Sequence, residues 1–205
     1  MSNWSVQDLY PTPVYCASVE NFYDIQNEIK GVIEESNFDY FSGFGKTHKL
    51  SDNFNPINND YLMGDLPLFT KELNIHIQRY CKELKYTNDE YQFVNSWMTL
   101  FERGDYAHIH NHKDVDFSGV YYYQKESDTQ DFFFESPVEG AKISAAYYGG
   151  RIYPPTKTGD LMIFPGWLNH GVDRIEIDGE RYSISFNIEF KKFDNDIPII
   201  KCHIE

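Results

Sequence analysis

Four of the chain's seven histidines fall in two short stretches. Three lie in His108-Ile-His110-Asn-His112-Lys-Asp114, and the fourth closes Phe164-Pro-Gly-Trp-Leu-Asn-His170. Arg181 follows, opening Arg181-Tyr-Ser-Ile-Ser-Phe-Asn187. Neutral imidazole is a common ligand for first-row metals, and a facial site with open positions needs two ligands close in sequence and one from far away. If residues 110 to 122 run extended, His110, His112, Asp114, Asp116, Ser118, Val120 and Tyr122 share one face. A turn around 113–116 limits that parity to 110/112 and, separately, to 118/120/122. Histidine and aspartate on an inward face are costly unless they bind something, and a metal removes the cost.

A polar loop that happens to hold three histidines would look the same over residues 108–114. The distal stretch weighs against that reading. Thr158-Gly-Asp-Leu-Met-Ile-Phe-Pro-Gly-Trp-Leu-Asn-His170 reads as a turn, a buried strand, a Pro-Gly and then a histidine at the strand's mouth. An arginine opening the next strand and pointing into a barrel requires an anionic partner. Either the carboxylate of a ligand or an internal Asp or Glu would serve.

The elements that must position these groups change character along the chain. Leu9-Tyr-Pro-Thr-Pro-Val-Tyr15 reads as an edge strand, because prolines cannot serve a central one. Ser18 is placed to cap a helix running to about Glu35, with Phe22, Ile25, Ile29 and Val32 on one face. Residues 37–60 are rich in Asn, Gly, Asp and Phe and read as loop. A second amphipathic helix spans about 66–84, with His76 expected on its partly exposed side. From Tyr91 onward, short β-branched and aromatic runs alternate with turns. The expected strands are Gln92–Phe101, Phe117–Gln124, Gln130–Glu135, Lys142–Ala146, Asp160–Phe164, Gly171–Ile175 and Arg181–Phe190, with Ile197–Ile200 as a terminal strand. Two helices followed by about seven short strands suggest a mainly β jelly roll with helices packed on one sheet. Residues 1–205 read as a single domain, with helical support at about 18–84 and a jelly-roll core at about 91–190.

Bulk properties narrow the function. At 205 residues the chain can bury a sizeable core. A net charge of -14 argues against a nucleic-acid groove and against binding to anionic lipid. Three cysteines, Cys16, Cys81 and Cys202, form no CxxC pair and point to the cytoplasm rather than to a disulfide scaffold. No apolar run approaches a membrane span.

Taken together, the motifs resemble those of the Fe(II)- and 2-oxoglutarate-dependent oxygenases, and more narrowly their small phage and bacterial members. The stretches that carry the resemblance are His110-Asn-His112-Lys-Asp-Val-Asp-Phe-Ser118-Gly-Val-Tyr-Tyr122, Gly159-Asp-Leu-Met-Ile-Phe-Pro165 with His170, and Arg181-Tyr-Ser-Ile-Ser-Phe-Asn187. Asn95-Ser-Trp97 and Gly104-Asp-Tyr106 also match. The resemblance is strongest over about 95–190. It implies a double-stranded β-helix fold, Fe(II) as metal and 2-oxoglutarate as co-substrate. It implies His110 and His170 as ligands, Arg181 on the far carboxylate of 2-oxoglutarate, and Tyr122 and Ser183 facing the same pocket. If the protein is phage-encoded, the host cytoplasm is its expected location.

The chain departs from the wider family at the second ligand, where His-x-Asp or His-x-Glu is usual. Two readings stand. His110, His112 and His170 form a three-histidine site, or His112 and Asp114 supply the pair and His110 supports them. The substrate, a small molecule or a protein side chain, is not legible, nor is the oligomeric state. Two other functions also stay open: a cupin-like metal enzyme without 2-oxoglutarate, and a virion or carbohydrate interaction domain with no catalysis.

Overall fold

The computed structural model describes residues 11–52, 61–86, 90–125, 131–138, 140 and 150–191. The strands are β1 (Tyr15–Ser18), β2 (Phe38–Tyr40), β3 (Lys49–Ser51), β4 (Tyr91–Phe101), β5 (Ala107–His110), β6 (Phe117–Gln124), β7 (Phe132–Glu135), β8 (Arg151–Ile152), β9 (Asp160–Pro165), β10 (His170–Val172) and β11 (Arg181–Phe190). The helices are α1 (Phe22–Glu35), α2 (Tyr61–Asp65) and α3 (Pro67–Glu83). One seven-stranded sheet runs β1-β9-β6-β11-β4-β3-β2 and one four-stranded sheet runs β5-β10-β7-β8. The strand pairings within both are antiparallel.

Alternation along the central strands separates two cores. On β11, Ile184, Phe186, Ile188 and Phe190 face a layer that also contains Ile25 and Ile29 of α1 and Phe69, Leu73 and Ile77 of α3. On β6, Phe117 and Tyr121 join that layer, as do Leu161 and Ile163 of β9. The opposite faces supply Val120 and Tyr122 from β6 and Met162 and Phe164 from β9. These meet Phe132 and Phe134 of β7 and Val172 of β10 across the sandwich. Complete burial of each such side chain contributes roughly 1.5–3 kcal/mol, so the helix-facing layer is the main anchor of the large sheet.

Helix α3 has no side-chain cap from its own N-cap residue, Leu66. Its cap arrives from α1 instead. The Glu28 carboxylate accepts hydrogen bonds from the Leu68 and Phe69 backbone N–H groups at 2.8 and 2.9 Å. A carboxylate there satisfies orphan donors and complements the helix dipole, which locks the two helices together.

Several expectations are corrected by tertiary contacts. The Ser18 hydroxyl donates to Asp160 of the neighbouring strand (2.7 Å), and α1 begins only at Phe22. The first strand starts at Tyr15, past Pro11 and Pro13, because neither proline can donate to a ladder. Residues 37–52 are not a plain loop; they form β2, a 3-10 turn at Ser42–Phe44, and β3, which extend the large sheet beyond β4. His76 is 1% exposed, not on an open helix face. Its Nδ1 lies 2.8 Å from the Tyr15 hydroxyl and its Nε2 lies 3.4 Å from Glu72, which makes burial tolerable. The expected strands Lys142–Ala146 and Ile197–Ile200, and His203, lie outside the described residues. No helix among the described residues is long and apolar enough to cross a membrane.

Gly119 of β6 carries a packing constraint. A Cβ there would overlap the Phe186 ring and lie 2.8 Å from the Met162 carbonyl oxygen. Gly119→Ala is therefore expected to destabilise the fold by about 1–3 kcal/mol, a fall in Tm of roughly 3–10 °C by calorimetry. An unchanged Tm would show that Phe186 can swing clear at no cost.

Candidate metal centre

His110 and His170 are direct cross-strand partners, because β5 pairs with β10. Their ring centroids stand 4.4 Å apart. His112 follows on the loop that leaves β5, and its ring lies 5.1 Å from His110 and 5.2 Å from His170. One ligating nitrogen from each of the three lies within 4.8 Å of the others. His170 is buried, His112 half-buried and His110 the most exposed. Asp114 is exposed and outside this group, and among the described residues no carboxylate joins it. His108, also exposed, stays outside it as well.

Two of the rings are oriented by the backbone. His110 Nδ1 lies 2.7 Å from the His108 carbonyl, and His170 Nδ1 lies 2.9 Å from the Leu168 carbonyl. A carbonyl only accepts, so each Nδ1 carries the proton and each Nε2 keeps its lone pair for a metal. Burial pushes all three imidazoles towards the neutral, ligating form. His110 and His170 lie below the ordinary histidine range, and His112 is brought down to about 4 by burial and by His110. Phe132, Phe134 and Phe164 pack around His170 and keep that side of the cluster apolar.

The loop carrying His112 is seated on the Pro165-Gly166 turn. The His112 N–H donates to the Gly166 carbonyl (2.7 Å), and the Gly166 N–H donates to the Asp116 carbonyl (2.9 Å). A side-chain relay ties the same loop to β10 and β7. Asn111 Nδ2 donates to Asn169 Oδ1 (2.7 Å), and Asn169 Nδ2 donates to Glu135 (3.0 Å). Asn111 and Asn169 each neighbour a cluster histidine in sequence, so the relay fixes both ligand-bearing segments.

The cluster opens into a cavity of about 690 Å³ between the sheets. Arg181 and Ser183 of β11 line it, whereas Tyr122 lies behind the wall. The Arg181 guanidinium is held between the Phe101 and Tyr122 rings, 5.0 and 5.2 Å from their centroids. Its Nη1 stands 3.0 Å from Asp131, so the internal-carboxylate alternative is realised. That pair falls short of a well-aligned hydrogen bond: Arg181 Nε and Nη1 and both Asp131 oxygens have no hydrogen-bond partner among the described residues. Buried Lys125 also approaches Asp131, at 3.5 Å, and donates to the Thr156 carbonyl. Burial raises the Tyr122 phenol far above its usual range, so its hydroxyl stays a proton donor.

Comparison with known proteins points to the family that the motifs resemble. Residues 95–187 match the model described as "Putative 2OG-Fe(II) oxygenase". Over that stretch, 93 of its 205 residues, the chain is similar to that family. No curated protein matches the chain by sequence. Among solved structures, HygX from Streptomyces hygroscopicus, with nickel, 2-oxoglutarate and hygromycin B bound, superposes with TM-score 0.59 at 10% identity, over 87% of this chain and 83% of that one. AviO1 from Streptomyces viridochromogenes gives 0.59 at 13% identity, over 87% and 90%. A prolyl-4-hydroxylase from Pseudomonas putida gives 0.58 at 12% identity, over 88% and 94%. At these identities the likeness shows the fold, the double-stranded β-helix.

Sequence reasoning missed several residues of the cavity and its wall. His48 lines the cavity from the segment read as loop, stacked on Phe101 at 4.9 Å with its Nδ1 3.2 Å from the Tyr106 carbonyl. Nothing local announces it; only the pairing of β3 with β4 brings it in. Asp131 and Lys125 had no sequence signal beyond the demand of Arg181 for an anion.

Gly166 supplies the check on this geometry. A Cβ there would overlap the Val115 carbonyl and lie 2.7 Å from that of His112. Gly166→Ala is expected to displace the His112 loop and weaken metal binding about 10- to 100-fold, the scale of a lost supporting contact. Isothermal titration with Fe(II) under anaerobic conditions reads this directly.

Proposed function

We propose that the protein is an Fe(II)- and 2-oxoglutarate-dependent hydroxylase in which His110, His112 and His170 hold the metal. The observation that carries the reading is the convergence of three neutral imidazoles, two with backbone-fixed tautomers, on one cavity that also receives Arg181. The donor set fits Fe(II): three nitrogen ligands on one side leave room for co-substrate on the other. Fe(II) and 2-oxoglutarate would supply the oxidising chemistry with dioxygen as oxidant: one oxygen atom would go into succinate as the 2-oxo acid loses carbon dioxide, and the other would turn a substrate C–H into C–OH.

The chain's own groups bind, orient and exclude water. Arg181 is pre-positioned by the two aromatic rings and by Asp131, so its fork is presented to a carboxylate with little entropy left to lose. Ser183 lines the same part of the cavity on the same strand face. Tyr122, behind the cavity wall, holds the guanidinium with its ring rather than reaching the anion itself. The Phe132, Phe134 and Phe164 rings keep bulk water from the ligand side. The hydroxylase outcome is supported by the fold shared with the P. putida prolyl-4-hydroxylase. The acceptor is a small molecule or a protein side chain. The exposed free thiol of Cys16 suits a reducing compartment, and we assign the enzyme to the cytoplasm.

The test is oxygen-dependent conversion of 2-oxoglutarate to succinate by anaerobically reconstituted protein. Arg181→Lys keeps the charge opposite Asp131 but loses the bidentate fork. It is expected to raise the KM for 2-oxoglutarate about tenfold or more while bound metal stays stoichiometric. An unchanged KM would remove Arg181 from the co-substrate site, and absence of metal-dependent 2-oxoglutarate binding would sink the oxygenase reading.

A further inference from the structure

The inward face of β11 is polar along its length: Arg181, Ser183, Ser185 and Asn187 all line the cavity. Arg181 and Ser183 serve one end. The other end has a construction of its own. Ser118 Oγ donates to Asn187 Oδ1 at 2.6 Å, and Asn187 Nδ2 donates to Asn95 Oδ1 at 2.7 Å. The three residues sit side by side on β6, β11 and β4, with Asn187 the register partner of both others. Ser118 and Asn187 are 2% and 3% exposed, and the β4 register shifts immediately past Asn187. Irregularities of this kind re-aim side chains next to functional sites.

The relay has a direction. Each link consumes the acceptor of the next residue, so Asn95 ends it with its Nδ2 group, for which the described residues provide no acceptor. Asn95 lines the cavity and is half-buried. Two buried polar residues are committed to holding one carboxamide in one orientation at a cavity wall. Beside it on the same strand face stands Trp97, whose ring lies 6.0 Å from that of His112. The donor thus shares a strand face with a ring that neighbours His112, at the opposite end of the β11 stripe from Arg181.

We infer that Asn95 orients the substrate, donating from Nδ2 to a neutral acceptor, a carbonyl or hydroxyl oxygen, on a substrate that lays an apolar face along Trp97. The inference rests on the oxygenase reading for which molecule is oxidised at the metal. The cavity's chemistry narrows the substrate class. Among the described lining residues there is no carboxylate, and the one permanent cation, Arg181, is at the other end. A charged group brought to the Asn95 end would lose its hydration with no counter-charge to replace it, whereas a neutral acceptor loses little and gains a fixed donor. A volume of about 690 Å³ falls within the roughly 300–1,000 Å³ of sites for drug-sized ligands and exceeds what a five-carbon diacid fills.

The test uses the full chain loaded with Zn(II), a diamagnetic stand-in, and 13C,15N labelling, with the Asn95 side-chain amide signal assigned through its own backbone resonances in the unaltered protein. Two probes of one skeleton are titrated: acetophenone, a neutral acceptor, and 1-phenylethylammonium, a cationic donor. The inference expects acetophenone to move the Asn95 amide protons downfield saturably. Asn95→Ala should bind it about three- to tenfold more weakly, the scale of one hydrogen bond. Asn95→Asp, which presents only acceptors, should reverse the order of the two probes. Equal acetophenone affinity in Asn95→Ala overturns the inference, as does a preference of the unaltered protein for the ammonium probe. If the variants do not fold, the unaltered protein still decides: no saturable shift at Asn95 overturns it. Zn(II)-dependent 2-oxoglutarate binding to the unaltered protein is measured alongside. Its absence fails the oxygenase reading, whichever way the probe result at Asn95 falls.

Discussion

The site depends on one cross-strand pair. His110 and His170 lie far apart in sequence but face each other where β5 meets β10. Directly opposed residues in an antiparallel pair hold their Cβ atoms about 4.5–5.5 Å apart, a spacing that lets two imidazoles share an ion without distorting either strand. Everything else at the centre supports that pair. β7 pairs with the other edge of β10 and sets Phe134 opposite His170. The Asn111–Asn169–Glu135 relay crosses the same three segments, and the Gly166 turn seats the loop that brings His112 to complete the cluster.

The sequence was most legible where burial enforces alternation. β6 and β11 are observed at Phe117–Gln124 and Arg181–Phe190, the bounds expected, because each has one face on the helices and one on the interior. Legibility failed where pairing rather than pattern makes the strand. β5 is four residues long with three of them exposed, so it shows no apolar period and exists through its bonds to β10. β3 likewise becomes a strand through β4. His76 was misplaced because histidine on a helix suggests a wet face, whereas Tyr15 and Glu72 flank its two ring nitrogens inside the protein. Arg181's need for an anion was readable from its place on an inward face. That Asp131 would answer it was not, since β7 reaches β11 only across the sandwich.

Charge is partitioned sharply in this molecule. The chain carries a net -14, yet the described cavity lining contains no carboxylate. Among the described residues the acidic groups other than Asp105 and Asp131 are at least partly exposed, where they cost little and favour solubility. Inside, a single guanidinium is exposed to the cavity, clamped by aromatic rings and balanced from behind by Asp131. On the proposed function, an anionic co-substrate would be directed to one end of the cavity, and the neutral carboxamide row at the other end would be left to the substrate. The polar stripe of β11 links both ends, so one strand would set the distance between co-substrate and substrate recognition.

The central claim is that three histidines, rather than two histidines and a carboxylate, hold the metal. Its most direct test is the Fe(II) content of anaerobically reconstituted protein for the unaltered chain, His112→Ala and Asp114→Ala. The account predicts stoichiometric metal in the unaltered chain and in Asp114→Ala, because Asp114 is exposed and outside the cluster, and loss of metal in His112→Ala. Metal lost in Asp114→Ala and retained in His112→Ala would contradict it.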